Sequence, residues 1–162
     1  MSENFHQENL RKGRVSIPGQ FYSITKCCAD RNHFLIPDLK DFAIAQRIFE
    51  IIAGSIAWLN EKSYFVCRNY VMMPDHLHLI FQLGEVRALE QVMHSFASFT
   101  ANQINDVLRR SGSLWQSGYY DHALRDDHAF NRHVRYIAEN PVRAGFVPDA
   151  QDWPFSMIEF FW

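Results

Sequence analysis

The chain lacks any excess of positive charge: 16 Lys and Arg stand against 18 Asp and Glu, for a net charge of −2. That balance argues against a nonspecific polyanion coat, though it leaves room for an enzyme with one basic face. Cysteine is scarce, with Cys27, Cys28 and Cys67 forming no C-x-x-C pair. Neither a disulfide framework nor a thiolate zinc site is suggested, and the three are expected to be small buried apolar residues. No apolar run reaches the ~20 residues needed to cross a bilayer. The first residues, Met1 to His6, lack the basic-then-apolar order of a secretory leader. The expectation is a cytoplasmic protein with no membrane partner. Repeats, low-complexity stretches and linkers are also missing, so residues 1–162 are expected to form one domain.

What is present is a folding composition, 48% hydrophobic and 15% aromatic with 14 Phe. Residues 1–20 are polar, hold Gly13, Pro18 and Gly19, and read as a loose arm; residues 147–162 read as a tail. Phe21 to Ala29 is rich in β-formers and reads as a strand. Asp38 to Asn60 carries Leu39, Phe42, Ile44, Ile48, Phe49, Ile51, Ile52, Ile56 and Leu59 at helical spacing. Tyr64 to Met73 and His76 to Leu83, separated by Pro74-Asp75, predict an antiparallel hairpin. Leu89 to Leu108 predicts a second long helix, with Val92, Phe96, Phe99, Ile104 and Leu108 near one face. Leu114 to Arg125 holds a fourth strand. Asp126 and Asp127 then open a helix to about Glu139, limited by Pro141, with a further turn over Val142 to Phe146. This order predicts an α+β, ferredoxin-like split βαβ arrangement with an antiparallel sheet and an added C-terminal helix.

Two segments can carry chemistry. His76 and His78 are two apart on a strand, so both imidazoles share a face while Leu77 and Leu79 share the other. Such a pair is half of a divalent-metal site; taken alone, it reads first as polar residues of a half-exposed sheet. The second segment is Phe130 to Pro141. On a helix, His133, Tyr136 and Asn140 form one stripe, with Val134, Ile137 and Ala138 free to face the core. Laid across the histidine face, that stripe brings a phenol and a third ligand to a metal. An isolated tyrosine there reads equally as an amphipathic residue at the core edge.

Met73-Pro74-Asp75-His76-Leu77-His78-Leu79-Ile80 resembles the signature of the single-tyrosine HUH transposases. Leu114-Trp115-Gln116, Tyr120-Asp121-His122, His133 through Tyr136-Ile137 to Asn140-Pro141-Val142-Arg143-Ala144-Gly145, and Asp152-Trp153-Pro154-Phe155-Ser156 resemble its REP-associated branch. The resemblance runs from about Phe21 to Ser156. It implies that Tyr136 is the nucleophile and that the C-terminal helix carries it. It also implies that His76 and His78 hold Mg²⁺ or Mn²⁺, with Asn140 as third ligand where related transposases often carry Gln. No other cofactor is implied. The implied reaction is cleavage and rejoining of single-stranded, hairpin-forming repeat DNA through a 5′-phosphotyrosine, by a monomer or a homodimer.

Arg125, Arg132, Arg135 and Arg143 are candidates for phosphate contacts. His122, His133 and Trp115 are candidates for supporting or DNA-binding roles. Tyr119-Tyr120 is an adjacent tyrosine pair, better suited to stacking or packing than to attack. Two other functions compete: a hairpin-binding module that no longer cuts, and an unrelated metal-dependent hydrolase. The hydrolase needs further carboxylates, for which Asp75 is the one adjacent candidate. The apolar tail residues Phe155, Phe160, Phe161 and Trp162 suit packing on the domain or on a partner.

Overall fold

Alternation along the first strand decides which side of the sheet becomes the core. In a computed structural model describing residues 15–159, β1 (Phe21–Cys27) turns Tyr22, Ile24 and Lys26 to one face and Phe21, Ser23, Thr25 and Cys27 to the other. Residues 1–14, most of the expected loose arm, lie outside the described residues, as do Phe160, Phe161 and Trp162. The remaining elements are α1 (Ala43–Glu61), β2 (Phe65–Met72), β3 (His76–Leu83), α2 (Leu89–Leu108), β4 (Tyr120–Leu124), α3 (Asp127–Ala138), α4 (Asn140–Arg143) and β5 (Ser156–Met157). The sheet runs β4-β1-β3-β2-β5 and every pairing is antiparallel, which is the expected split βαβ arrangement with an additional edge strand.

The core face is built from register partners: Tyr22 opposite Phe81, Ile24 opposite Leu79, and Lys26 opposite Leu77. Helix α1 closes this face, with Phe49 5.8 Å from Tyr70, the register partner of Leu79. Helix α2 packs beside α1. Lys26 is the exception among these apolar residues. Its buried ammonium donates to the carbonyls of Gln116 and Gly118, both at 2.6 Å, and so anchors the loop that leads into β4. Burial pushes its pKa down to about 8. Cys27, Cys28 and Cys67 are buried free thiols, as expected.

Helix α3 lies on the other sheet face. Its Phe130 meets Phe21 edge-on at 5.1 Å, and Val134, Ile137 and Ala138 are its buried residues. Asp126 caps its start by accepting from the Ala129 amide.

Several expectations need correction. Helix α1 starts at Ala43, not Asp38, because the carboxylates of Asp38 and Asp41 accept from the amides two residues on and hold residues 38–42 in turns. Leu39, in these turns, is exposed, and so is Ile44 in the first turn of α1. On α2, Phe99 points to solvent; Met93 and Thr100 take the inward positions instead. Pro141 ends α3 but also opens α4, where its missing N–H leaves no bond unmade. Strand β5 has only two residues and no alternation to read. Trp153 and Phe155 set it in place: the Trp153 indole donates to the Met72 carbonyl at 3.0 Å, and both rings pack on Phe42. This part of the tail therefore covers its own domain.

Candidate active site

Antiparallel pairing of β1 with β3 places Thr25 opposite His78 and Cys27 opposite His76. His76 and His78 share one sheet face, and their Nε2 atoms approach to 3.2 Å with the rings 84° apart. Each remaining ring nitrogen is occupied. His76 Nδ1 pairs with Asp75 Oδ1 at 2.7 Å, and His78 Nδ1 with Thr25 Oγ1 at 3.1 Å. The second Asp75 oxygen accepts from Arg31 Nε at 2.8 Å. Burial alone raises the Asp75 carboxyl, but hydrogen bonds from His76 and Arg31 outweigh it and hold the group below the usual range. His78 is only 6% exposed, and burial, with the nearby charges of His76, Arg143 and Arg31, pushes its pKa down to about 3. A neutral imidazole is the form that binds a metal.

This donor set suits a divalent cation. With metal–nitrogen bonds of about 2.0–2.1 Å, neighbouring ligands of one cation stand about 3 Å apart. The two Nε2 atoms already have that spacing, and fixed Nδ1 partners are what orient metal-binding histidines. A further donor is at hand. Asn140 Oδ1 is buried without a hydrogen-bond partner, and Asn140 lines a cleft together with Asp75 and His76. Among the described residues, no three His, Cys, Asp or Glu side chains gather into a metal-sized group. The extra carboxylates that the hydrolase reading needs are therefore not assembled there, and Asp75 is engaged with His76 and Arg31.

Tyr136 stands beside the histidines on α3. Its ring centroid is 6.2 Å from that of His78, and the residue is 53% exposed. Arg143, grouped with possible phosphate ligands in the sequence, is turned onto Tyr136: its guanidinium lies 4.0 Å over the ring and donates to the Tyr136 carbonyl at 2.6 Å. A cleft of about 430 Å³ joins Tyr136 and His78 to Ser23, Thr25, Tyr120, His122, Arg132 and His133. The His122 and His133 rings stack there, 4.9 Å apart.

The other candidates lie further off. Arg125 is exposed along a separate groove shared with Arg68 and Asp127, and Arg135 is exposed on α3. Trp115 is buried, with its indole donating to Thr100 Oγ1 at 3.0 Å, so it braces α2 against the loop before β4. Tyr120 lies on the histidine face opposite Thr25, at the cleft rim. Thr25 and Arg31 were not singled out from the sequence. Thr25 pairs with a residue 53 positions away, and only the strand register reveals it.

A profile of the IS200-like transposases matches residues 22–140, a span that includes both histidines, Tyr136 and Asn140. The chain belongs to this family. An Escherichia coli REP-associated tyrosine transposase is 28% identical over 110 residues, 67% of this chain and 63% of that protein. A Haemophilus influenzae protein provisionally given the same name is 33% identical over 98 residues, 52% of this chain and 54% of its own length. The chain thus spans under two thirds of either relative. A solved REP-associated tyrosine transposase bound to a REP hairpin superposes with a TM-score of 0.67 at 25% identity, over 88% of this chain and 79% of the other. The family and the ferredoxin-like architecture expected from the sequence both stand. No described helix is long and apolar enough to cross a membrane.

Proposed function

We propose that this IS200-like transposase is a metal-dependent single-stranded DNA endonuclease and strand transferase, acting on hairpin-forming repeat DNA through Tyr136. One observation carries the reading. Two imidazole nitrogens converge 3.2 Å apart with their other nitrogens already bonded, beside an exposed tyrosine on the same face. The hairpin-bound neighbour, similar over most of this chain, supports the choice of substrate.

His76, His78 and the Asn140 amide oxygen would hold Mg²⁺ or Mn²⁺; two imidazoles make Mn²⁺ at least as suitable. A divalent cation held there would polarise the scissile phosphate and stabilise its developing charge. The Tyr136 hydroxyl, open to solvent, passes its proton to water and attacks phosphorus. The bond from phosphorus to the 3′ oxygen breaks, that oxygen takes a proton, and a 5′-phosphotyrosine remains. One phosphoester replaces another, so a 3′-hydroxyl can reverse the step on the same or a different strand without ATP. Arg143 holds the Tyr136 ring by cation–π contact and fixes its backbone.

The test is incubation with Mn²⁺ and hairpin oligonucleotides drawn from repeats flanking the gene, followed by denaturing electrophoresis and peptide mass spectrometry. The expected result is a covalent adduct on Tyr136 that is lost in Tyr136→Phe and in EDTA. Tight hairpin binding with no adduct in either Mg²⁺ or Mn²⁺ would replace the enzyme with a silent binding module.

A further inference from the structure

A second pair of histidines faces the same cleft, and its geometry differs from the first. His122 comes from β4, opposite Ser23, on the sheet face that also carries His78. His133 comes from α3, one turn before Tyr136. Their rings are nearly parallel, 17° apart, whereas those of His76 and His78 stand at 84°. Stacked imidazoles do not aim their lone pairs at one point, so this pair is no second metal site. They present ring edges side by side, which is how N–H donors meet an anion.

The electrostatics agree. Burial lowers the His133 pKa, and the positive charges of His122 and Arg132 lower it further. His122 and Arg132 thus both disfavour a positive charge on His133. An anion would relieve that repulsion. The cleft that holds them also holds Tyr136 and His78, so a strand whose scissile phosphate lies at Tyr136 runs past this wall.

We propose that His122, His133 and Arg132 form a subsite for one further phosphodiester of the bound strand, adjacent to the phosphate attacked by Tyr136, and that His133 gains a proton as it binds. The inference rests on the single-stranded DNA reading given above. The other polar residues lining this cleft are Tyr120 and Asp121 from β4, Ser23 and Thr25 from β1, His78 from β3 and Tyr136 from α3. Asp121 is the one acid among them, and strand alternation turns it to the opposite sheet face from His122.

The test uses Tyr136→Phe protein in EDTA, so that neither cleavage nor metal binding contributes. A fluorescein-labelled hairpin oligonucleotide with a single-stranded extension is titrated by anisotropy from about pH 7.5 to 5.5 at constant ionic strength. Affinity is expected to rise as pH falls, by about tenfold for each unit by which the phosphate raises the His133 pKa. His122→Gln with His133→Gln should flatten that dependence. Arg132→Gln should weaken binding at every pH and reduce the salt slope by about one. Full pH dependence in the double Gln variant overturns the subsite, as does equal pH dependence for a hairpin without its extension. Absence of binding at any pH would remove the functional reading itself, a different and distinguishable failure.

Discussion

Replacing Asp75 with Asn tests whether the histidine pair is held for a metal. In the wild-type chain the carboxylate accepts from His76 Nδ1 at 2.7 Å and from Arg31 Nε at 2.8 Å. An amide keeps one acceptor for His76 but turns an NH₂ toward the Arg31 guanidinium, and it removes the negative charge that strengthens His76 as a ligand. Loss of such an outer partner costs about 10–100-fold in metal affinity. That corresponds to about 1.4–2.7 kcal/mol. Asp75→Asn is expected near the lower value and Asp75→Ala, with no acceptor, near the upper. Mn²⁺ titration followed by electron paramagnetic resonance reads the free ion directly. Unchanged Mn²⁺ affinity in both variants, with the fold intact by circular dichroism, would refute the claim that Asp75 orients a ligand.

Asn140→Ala should weaken Mn²⁺ binding but leave the metal-free protein no less stable. The orphaned Oδ1 carries a burial penalty of about 1–3 kcal/mol that the change removes; a clear drop in the EDTA melting temperature would contradict this. His78 is held well below its unfolded pKa of about 6.5. Its contribution is therefore complete above that value and lost on acidification toward about 3, by about 1.4 kcal/mol per pH unit in between. Urea midpoints in EDTA should fall more steeply with acid for wild type than for His78→Gln, and parallel curves would argue otherwise. Trp115→Phe removes the hydrogen bond to Thr100, so it should cost about 1 kcal/mol, or about 2–4 °C in Tm, without altering hairpin affinity. A large affinity loss would make Trp115 a DNA contact.

The histidine face was legible because His76 and His78 sit on one strand, where a period of two needs no long-range information. The Tyr136 stripe was legible for the same reason at helical spacing. Contacts between elements were not. Thr25 reaches His78 through the register of β1 on β3, and His122 reaches His133 only once β4 and α3 are placed. Arg143 resembles any other exposed arginine until α4 folds it back onto Tyr136. Phe99 satisfied the apolar spacing of α2 but lies outward, since Thr100 takes the inner place to meet Trp115.

The position of β3 has a consequence for how the molecule comes apart. His76 and His78 ride on the middle strand of five, bonded on both edges. Tyr136 rides on a twelve-residue helix with three buried side chains. Opening of a structure starts where burial is thinnest, so α3 should detach and exchange its amide hydrogens well before β3 does. The histidine pair and the tyrosine thus belong to parts with different lifetimes. A chain of this kind can be disarmed by loosening one helix while its sheet stays whole.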